Sequence, residues 1–281
     1  GFDCSVINPI ITKNSTNLNI RKLHNDKFDS KKAAKIGLDP SLKTSIVPDD
    51  DIIDLRNLAR DYYYFKDLQS AVVLKLHAEL RVSFPGYLHV FSKVTTLTSL
   101  KLLDEYPLAS DMLAAPKEKI IEMIKSTARF GEAYAFSKYD AICAAARDAS
   151  VFGRALPSNA LRIKLYIQTY LEYQKHLDSL LEELHKAMDK LKGKPAYDRF
   201  CLLQSLRGVG FLSAVVLIAE MGDFDLFSSP RKLYAYFGLD PAVKQSGKFH
   251  GDNVHMSKRG SSLARRVLHM VAVNNLKIDK G

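Results

Sequence analysis

Cysteine is scarce in this chain, and long apolar runs are missing. Its 281 residues include three cysteines, Cys4, Cys143 and Cys201. They are odd in number, scattered and never in CxxC spacing, which argues against a disulfide scaffold or a zinc ribbon and fits a reducing compartment. The longest apolar run, 211–219, falls well short of the roughly 20 residues a membrane-spanning helix needs, so no transmembrane segment is expected. No basic-then-apolar signal segment opens the chain, and no internal repeat or low-complexity tract interrupts it. A hydrophobic content of 47% with 26% charged residues excludes a disordered or fibrous protein. The length suits roughly two domains, each able to bury its own core.

What is present in excess is positive charge. Lysine and arginine number 41 against 31 acidic residues, a net +10. Residues 12–45 carry eight basic and three acidic side chains, and residues 244–269 carry six and one. The two windows together account for the whole excess. Two basic patches on a neutral scaffold point to a polyanionic partner, most simply nucleic acid; solvated basic faces are the plainer alternative.

Periodicity predicts mainly helix. Residues 2–7 read as a short strand ending at Asn8-Pro9, and 25–36 have helical spacing until Gly37 and Pro40. Asp49-Asp50-Asp51 supply an acidic first turn for a long helix reaching Phe84, where Pro85-Gly86 stop it. Its heptad seam is Leu55, Ala59, Tyr62, Val73, Leu76 and Leu80, interrupted at Lys66 and Gln69. Short helical patterns punctuated by Pro107 and Pro116 fill 95–150. A second long helix starts at Pro157. Its Ile163, Ile167, Tyr170, Gln174, Leu177, Leu181, Leu184, Met188 and Leu191 alternate by four and three, the pattern of a coiled-coil seam. Two such helices would form an antiparallel arm, with a plain bundle as the alternative. The predicted organisation is three parts: 1–45, an arm over 46–195, and a compact helical domain over 196–281.

The last part is dense in motifs. Gly208 and Gly210 precede the apolar helix 211–221 and suit a helix-hairpin-helix turn, where glycine lets the backbone approach a phosphate; a simple tight turn is equally consistent with the pair. Ser228-Ser229-Pro230 cap the next helix and Gly238 ends it. A glycine-rich loop, 245–260, leads into a helix starting near Ser261, with Leu263, Val267 and Val271 inward. Ser246 lies in this loop among Lys244, Gly247, Lys248, Lys258 and Arg259. A hydroxyl attacks phosphorus only with help from a base or metal, and nearby cations would stabilise a phosphorane; simple contact with a backbone phosphate is the milder reading. His250, Asp252 and His255 lack the fixed spacing of a metal site. Arg265 and Arg266 begin a basic face suited to phosphates, or simply to solvent. Asp26 and Asp29, three apart on a predicted helix, share a face and could hold Mg²⁺ as half of a four-carboxylate set, or stand as a solvated acidic pair.

Taken together, Gly208-Val209-Gly210, Ala219-Glu220-Met221-Gly222-Asp223, Tyr236-Phe237-Gly238-Leu239-Asp240-Pro241, Gln245-Ser246-Gly247-Lys248 and Ser257-Lys258-Arg259-Gly260 resemble the C-terminal domain of DEDD-type insertion-sequence transposases, also described as serine-bearing bridge recombinases. Upstream, Ser5-Val6-Ile7-Asn8-Pro9 and Asn25-Asp26-Lys27-Phe28-Asp29 resemble the end of that family's RuvC-like domain, an RNase H-type fold. The resemblance implies an α/β remnant over 1–45, a coiled-coil arm, and a C-terminal transposase domain. It also implies that Asp26 and Asp29 are the last two of four Mg²⁺-binding carboxylates and that Ser246 is the nucleophile on DNA. Gly208, Gly210, Lys244, Gly247, Lys248, Ser257, Lys258, Arg259, Gly260, Arg265 and Arg266 are then expected to line the nucleic acid. Further implications are a guide RNA encoded by the element, a homodimer or homotetramer joined through the arm, and a cytoplasmic, nucleoid-associated life in a bacterium or archaeon. The family's first two carboxylates precede the 5–9 strand, so a chain beginning at Gly1 is expected to be an N-terminally truncated copy. The competing readings are a RuvC-like nuclease in which metal directs water, and a catalytically incomplete nucleic-acid-binding fragment.

Overall fold

The computed structural model describes residues 26–39, 48–127, 131–241, 245–246, 249–250 and 255–278, with backbone only at 27–29, 32, 245–246, 249–250 and 278. Within these residues the chain is mainly helical. The expected 2–7 strand lies outside them, and of the expected 1–45 remnant only residues 26–39 are described, as helix and a turn.

Helix α1 (Asp26–Gly37) is followed, after residues outside the description, by α2 (Asp50–Ser83). Asp50 and Asp51 in the first turn of α2 complement the positive end of its dipole. The helix stops at Phe84, whose N–H still bonds the Leu80 carbonyl, because Pro85 has no N–H with which to continue. A 3₁₀ turn (Pro85–His89) leads to four shorter helices: α3 (Leu97–Glu105), α4 (Ala109–Ala114), α5 (Lys117–Thr127) and α6 (Glu132–Phe152). Pro107 and Pro116 stand between α3 and α4 and between α4 and α5, as their sequence positions suggest.

Helix α7 (Pro157–Lys190) runs back along α2. The pairing shows that the two are antiparallel. Glu79 accepts from Arg162 at 2.7 Å and from Asn159, Gln69 donates to Gln174 at 2.9 Å, the Phe65 ring lies 5.1 Å from His176, and Lys194 reaches Asp51 at 2.6 Å. On α7 the seam residues Ile163, Ile167, Leu177, Leu184, Met188 and Leu191 are buried. On α2 the seam passes through Tyr63 rather than Tyr62, because Leu55, Ala59 and Tyr63 follow one another at four-residue steps.

The pair carries a separate hydrophobic core near each end. The distal core joins Leu76, Leu80 and Phe84 to Leu102, Ile120, Ile124, Ile142 and the early part of α7. The proximal core joins Leu55, Ala59, Leu184, Met188 and Leu191 to the C-terminal helices. Between them, Gln69 is buried and fully bonded: it accepts from Lys66 Nζ and donates to Gln174, which in turn donates to Asp178. A polar layer inside an apolar seam fixes which turn meets which, since any slip would bury the amides without partners.

The chain closes with α8 (Pro195–Ser205), α9 (Phe211–Met221), a 3₁₀ turn (Phe224–Leu226), α10 (Pro230–Tyr236), a two-strand ribbon β1 (Gln245–Ser246) and β2 (Phe249–His250), and α11 (Ser262–Ile278). Helix α9 is the centre of the proximal core, buried from Ala214 to Met221, and it packs against α2, α8 and α11.

Replacing Gln69 by alanine is expected to lower stability by about 1–3 kcal/mol, because Gln174 loses its partner in the seam. The double change Gln69→Leu with Gln174→Leu should recover most of that loss. Chemical denaturation of the two variants followed by circular dichroism measures both outcomes.

Candidate functional site

The C-terminal helices are fixed to the arm by two arginines of α2. Helix α9 ends with carbonyls that have no partner in the helix and with the negative end of its dipole. Arg56 Nε donates to the Ala219 carbonyl at 2.7 Å. One turn further along α2, Arg60 grips Glu220 with two bonds, Nε to Oε1 at 2.8 Å and Nη2 to Oε2 at 3.0 Å. Glu220 is 4% exposed, so its charge is tolerable only because the guanidinium meets it bidentately. The bond to Glu220, more than simple charge attraction, raises Arg60 above its ordinary value, so it stays protonated. Gly222, at φ +67°, ends the helix, and Tyr236 Oη donates to the Glu220 carbonyl at 3.0 Å. An acid inside the apolar run of α9 is the signal that could have pointed to Glu220; Arg60, far away in the chain, gave none.

Tyr236 leads into a clasp that closes the Ser246 loop. Asp240 accepts from Ser257 Oγ at 2.5 Å and from Arg259 Nη2 at 3.0 Å. The backbone repeats the closure: Ser257 N donates to Asp240 O at 2.7 Å, Lys258 N donates to Gly238 O at 2.9 Å, and Pro241 bridges to Met256. The two strands touch so closely that only glycine fits. A Cβ on Gly238 (φ +67°) would sit 2.4 Å from Arg259 N, and one on Gly260 would sit 2.0 Å from Tyr236 O. Arg265 locks the corner from beneath, donating through Nη1 to the carbonyls of Phe237 and Gly260. The Ser257 hydroxyl first, and Arg259 second, hold the Asp240 carboxyl below its ordinary value.

The loop held by this clasp carries Ser246. Its backbone lies in β1, in antiparallel register with Phe249, while Gln245 faces His250. Lys244, Gly247 and Lys248 lie outside the described residues. His250 stands in β2, Asp252 lies outside the description, and His255 is exposed. Among the described residues no group of three His, Cys, Asp or Glu side chains gathers around one point.

The remaining expected residues divide by role. Gly208 takes φ +81° and touches Asn275 of α11, which a Cβ would approach to 2.7 Å. Gly210 stands at the N-cap of α9, where an added Cβ would meet nothing within 4 Å. Lys258 is exposed at φ 54°. Arg266 pairs end-on with Asp67 of α2, Nη1 to Oδ2 at 2.8 Å, and lies 5.1 Å over the Tyr63 ring. Ser257, Arg259, Gly260 and Arg265 are thus brought together around Asp240 and Phe237. Asp26 is exposed on α1, with Asp29 three residues on in the same helix. Mg²⁺ prefers oxygen donors, and a pair of carboxylates three apart on a helix fits it in kind and supplies part of the usual set.

Similarity to known proteins falls on this same region. Residues 201–280 match the model of the family described as Transposase IS116/IS110/IS902 family. Over 68 residues, 24% of this chain, the sequence is 38% identical to a Sinorhizobium fredii (strain NBRC 101917 / NGR234) protein named "Putative transposase y4qE". That stretch is 17% of the relative's length, so the chain is similar to a small part of it. No helix among the described residues is long and apolar enough to cross a membrane.

Loss of the Asp240 carboxylate should open the clasp. Asp240→Ala is expected to raise trypsin cleavage after Lys258 and Arg259 several-fold, read by mass spectrometry of early digests. A carboxyl held below its ordinary value contributes stability above about pH 4, and that contribution is lost as pH falls through the lowered value. Deuterium uptake over 255–260, corrected for the intrinsic pH trend, should accordingly rise on acidification in the parent protein and not in Asp240→Asn.

Proposed function

We propose that this chain is part of an insertion-sequence transposase that cuts and rejoins DNA through Ser246. The observation that carries the reading is a serine on a loop clasped at its base, inside the segment that matches a transposase family. A nucleophile on a clasped loop can be presented to a phosphodiester without a large entropic cost for ordering the loop ends. The Ser246 oxygen forms a bond to phosphorus as the strand's own P–O bond breaks. The serine proton passes to a base, and the departing oxygen takes up a proton. Lys244, Lys248 and Lys258 are the cations available to balance the charge that develops on the phosphoryl oxygens. Asp26 and Asp29 would hold Mg²⁺, which supplies Lewis-acid polarisation of the phosphate and a lowered proton affinity at the attacking oxygen. The first amides of α9, behind Gly210, offer a backbone phosphate contact of the helix-start type. A guide RNA and a dimer or tetramer built through the helical arm belong to the same proposal. So does the coiled-coil character of the arm.

In the complete protein, Ser246→Ala should abolish strand exchange and leave nucleic-acid affinity within about two-fold of the parent. The parent should form a DNA–protein adduct that survives denaturant, visible as a shifted band, and the variant should not. Free 5′-phosphate ends without an adduct would instead favour hydrolysis by metal-directed water.

A further inference from the structure

A second feature lies where α2 meets the start of α11. Where α2 passes the start of α11, an open cleft of about 470 Å³ lies between Arg60, Tyr63, Tyr64, Asp67, Ser262 and Arg266. Its size is within the roughly 300–1,000 Å³ of clefts that hold a small ligand or one unit of a polymer. Three of its side chains have a face or edge left for a partner. Tyr64 is 59% exposed, with an aromatic neighbour only in Phe65 at 5.5 Å. Arg60 uses two of its five N–H groups on Glu220, and its side chain is 55% exposed. Arg266 lays its guanidinium over Tyr63 and pairs with Asp67; the two side chains are 41% and 59% exposed, leaving the outer edge of the fork in water.

We propose that this cleft binds a single-stranded stretch of nucleic acid, one base stacking on Tyr64 and the adjoining phosphate taken by Arg266 and Arg60. The inference rests on the nucleic-acid reading above and adds a contact site on the arm to it. Tyrosine stacking accepts any base, whereas a paired base is already stacked and cannot lie flat on Tyr64, so a single strand is preferred over a duplex. Asp67 keeps the place of the phosphate. The pair is bidentate but open to water on both sides, so a phosphate, which fits the same fork, can compete with Asp67 for Arg266. Ser262 opens α11 beside the two arginines, and Gly260, two residues earlier, belongs to the clasp. The cleft and the clasp are therefore adjacent in the chain.

Fluorescence anisotropy with labelled oligothymidine and oligouridine of equal length tests this on the whole chain, with a duplex as comparison. Tyr64→Ala should weaken single-strand binding about five- to hundred-fold with little change in its salt dependence. Arg266→Gln should reduce the salt slope by about 0.7, the loss of one phosphate contact. Ser262→Asp, which suits a helix start and so preserves folding, should weaken binding by repulsion. Asp67→Asn should tighten binding several-fold, a gain that a purely structural ion pair would not give. The tighter of the two oligonucleotides identifies DNA or RNA as the occupant. If the parent binds single strands and the four variants match it, the cleft is overturned and the nucleic-acid reading stands. If the parent binds the duplex alone, the cleft is likewise overturned. If it binds neither, both are overturned.

Discussion

The placement of the C-terminal helices depends on a pair of arginines one turn apart. Arg56 and Arg60 project from the arm onto the last turn of α9, one to a carbonyl and the other to a buried carboxylate. The two contacts differ in what they contribute. Arg56 answers an orphan carbonyl at the negative end of a helix dipole, which any cation does. Arg60 answers a charge that burial would otherwise make very costly, and only a planar fork in the right place does this. Glu220 is therefore a weak stabiliser and a strong address: alternative dockings of α9 leave an unpaired charge in the core. Because Tyr236 bonds the carbonyl of the same Glu220, and Tyr236 begins the clasp, the position of the Ser246 loop is inherited from this one contact.

A similar division governs the arm. Each end of the α2–α7 pair has an ample apolar core, and neither core fixes the register of two long helices with much certainty, since leucines accept leucines at several offsets. The Gln69–Gln174 layer between the cores supplies that discrimination. Glu79, bonded to Asn159 and Arg162, adds a second polar check at the distal end. Registration of the helices sets where Arg56 and Arg60 emerge, so polar contacts in the seam reach the loop through the docking of α9.

Much of this was legible in the residues and some of it was not. Helix ends announced themselves through Asp50 and Asp51, Pro85, Pro157 and Gly238, because caps and breakers act over one or two residues. The apolar side of α7 was readable because its spacing is regular over nine positions. Lys66 and Gln69 read as interruptions of a seam; their role as a bonded layer needs Gln174, which sequence distance conceals. Tyr62 stood in for Tyr63 because a heptad and a run of four-residue steps diverge by one position. Asp240 entered only as part of the 236–241 motif, and its partnership with Ser257 and Arg259 is visible only once the two motifs are seen crossing. Ser246, read as a candidate among lysines, has its backbone in a short ribbon, and Asp26 and Asp29 were read from their spacing and from the resemblance.

Positive charge is a poor count of free cations in this molecule. Of the cations in the 244–269 window, Arg265 is committed to two backbone carbonyls and Arg259 to Asp240, both inside the clasp. Their function is to hold two chain segments close enough that only glycine fits between them. Arg266 is different in kind, since its partner is an exposed carboxylate that an anion can replace. The relevant quantity is how firmly each guanidinium is already satisfied: by fixed carbonyls, by a buried acid, or by an acid in water. By that measure Arg265, bound to two fixed carbonyls, is the most committed of these cations, while Lys258 is exposed and Arg259 and Arg266 keep 63% and 41% of their side chains in water.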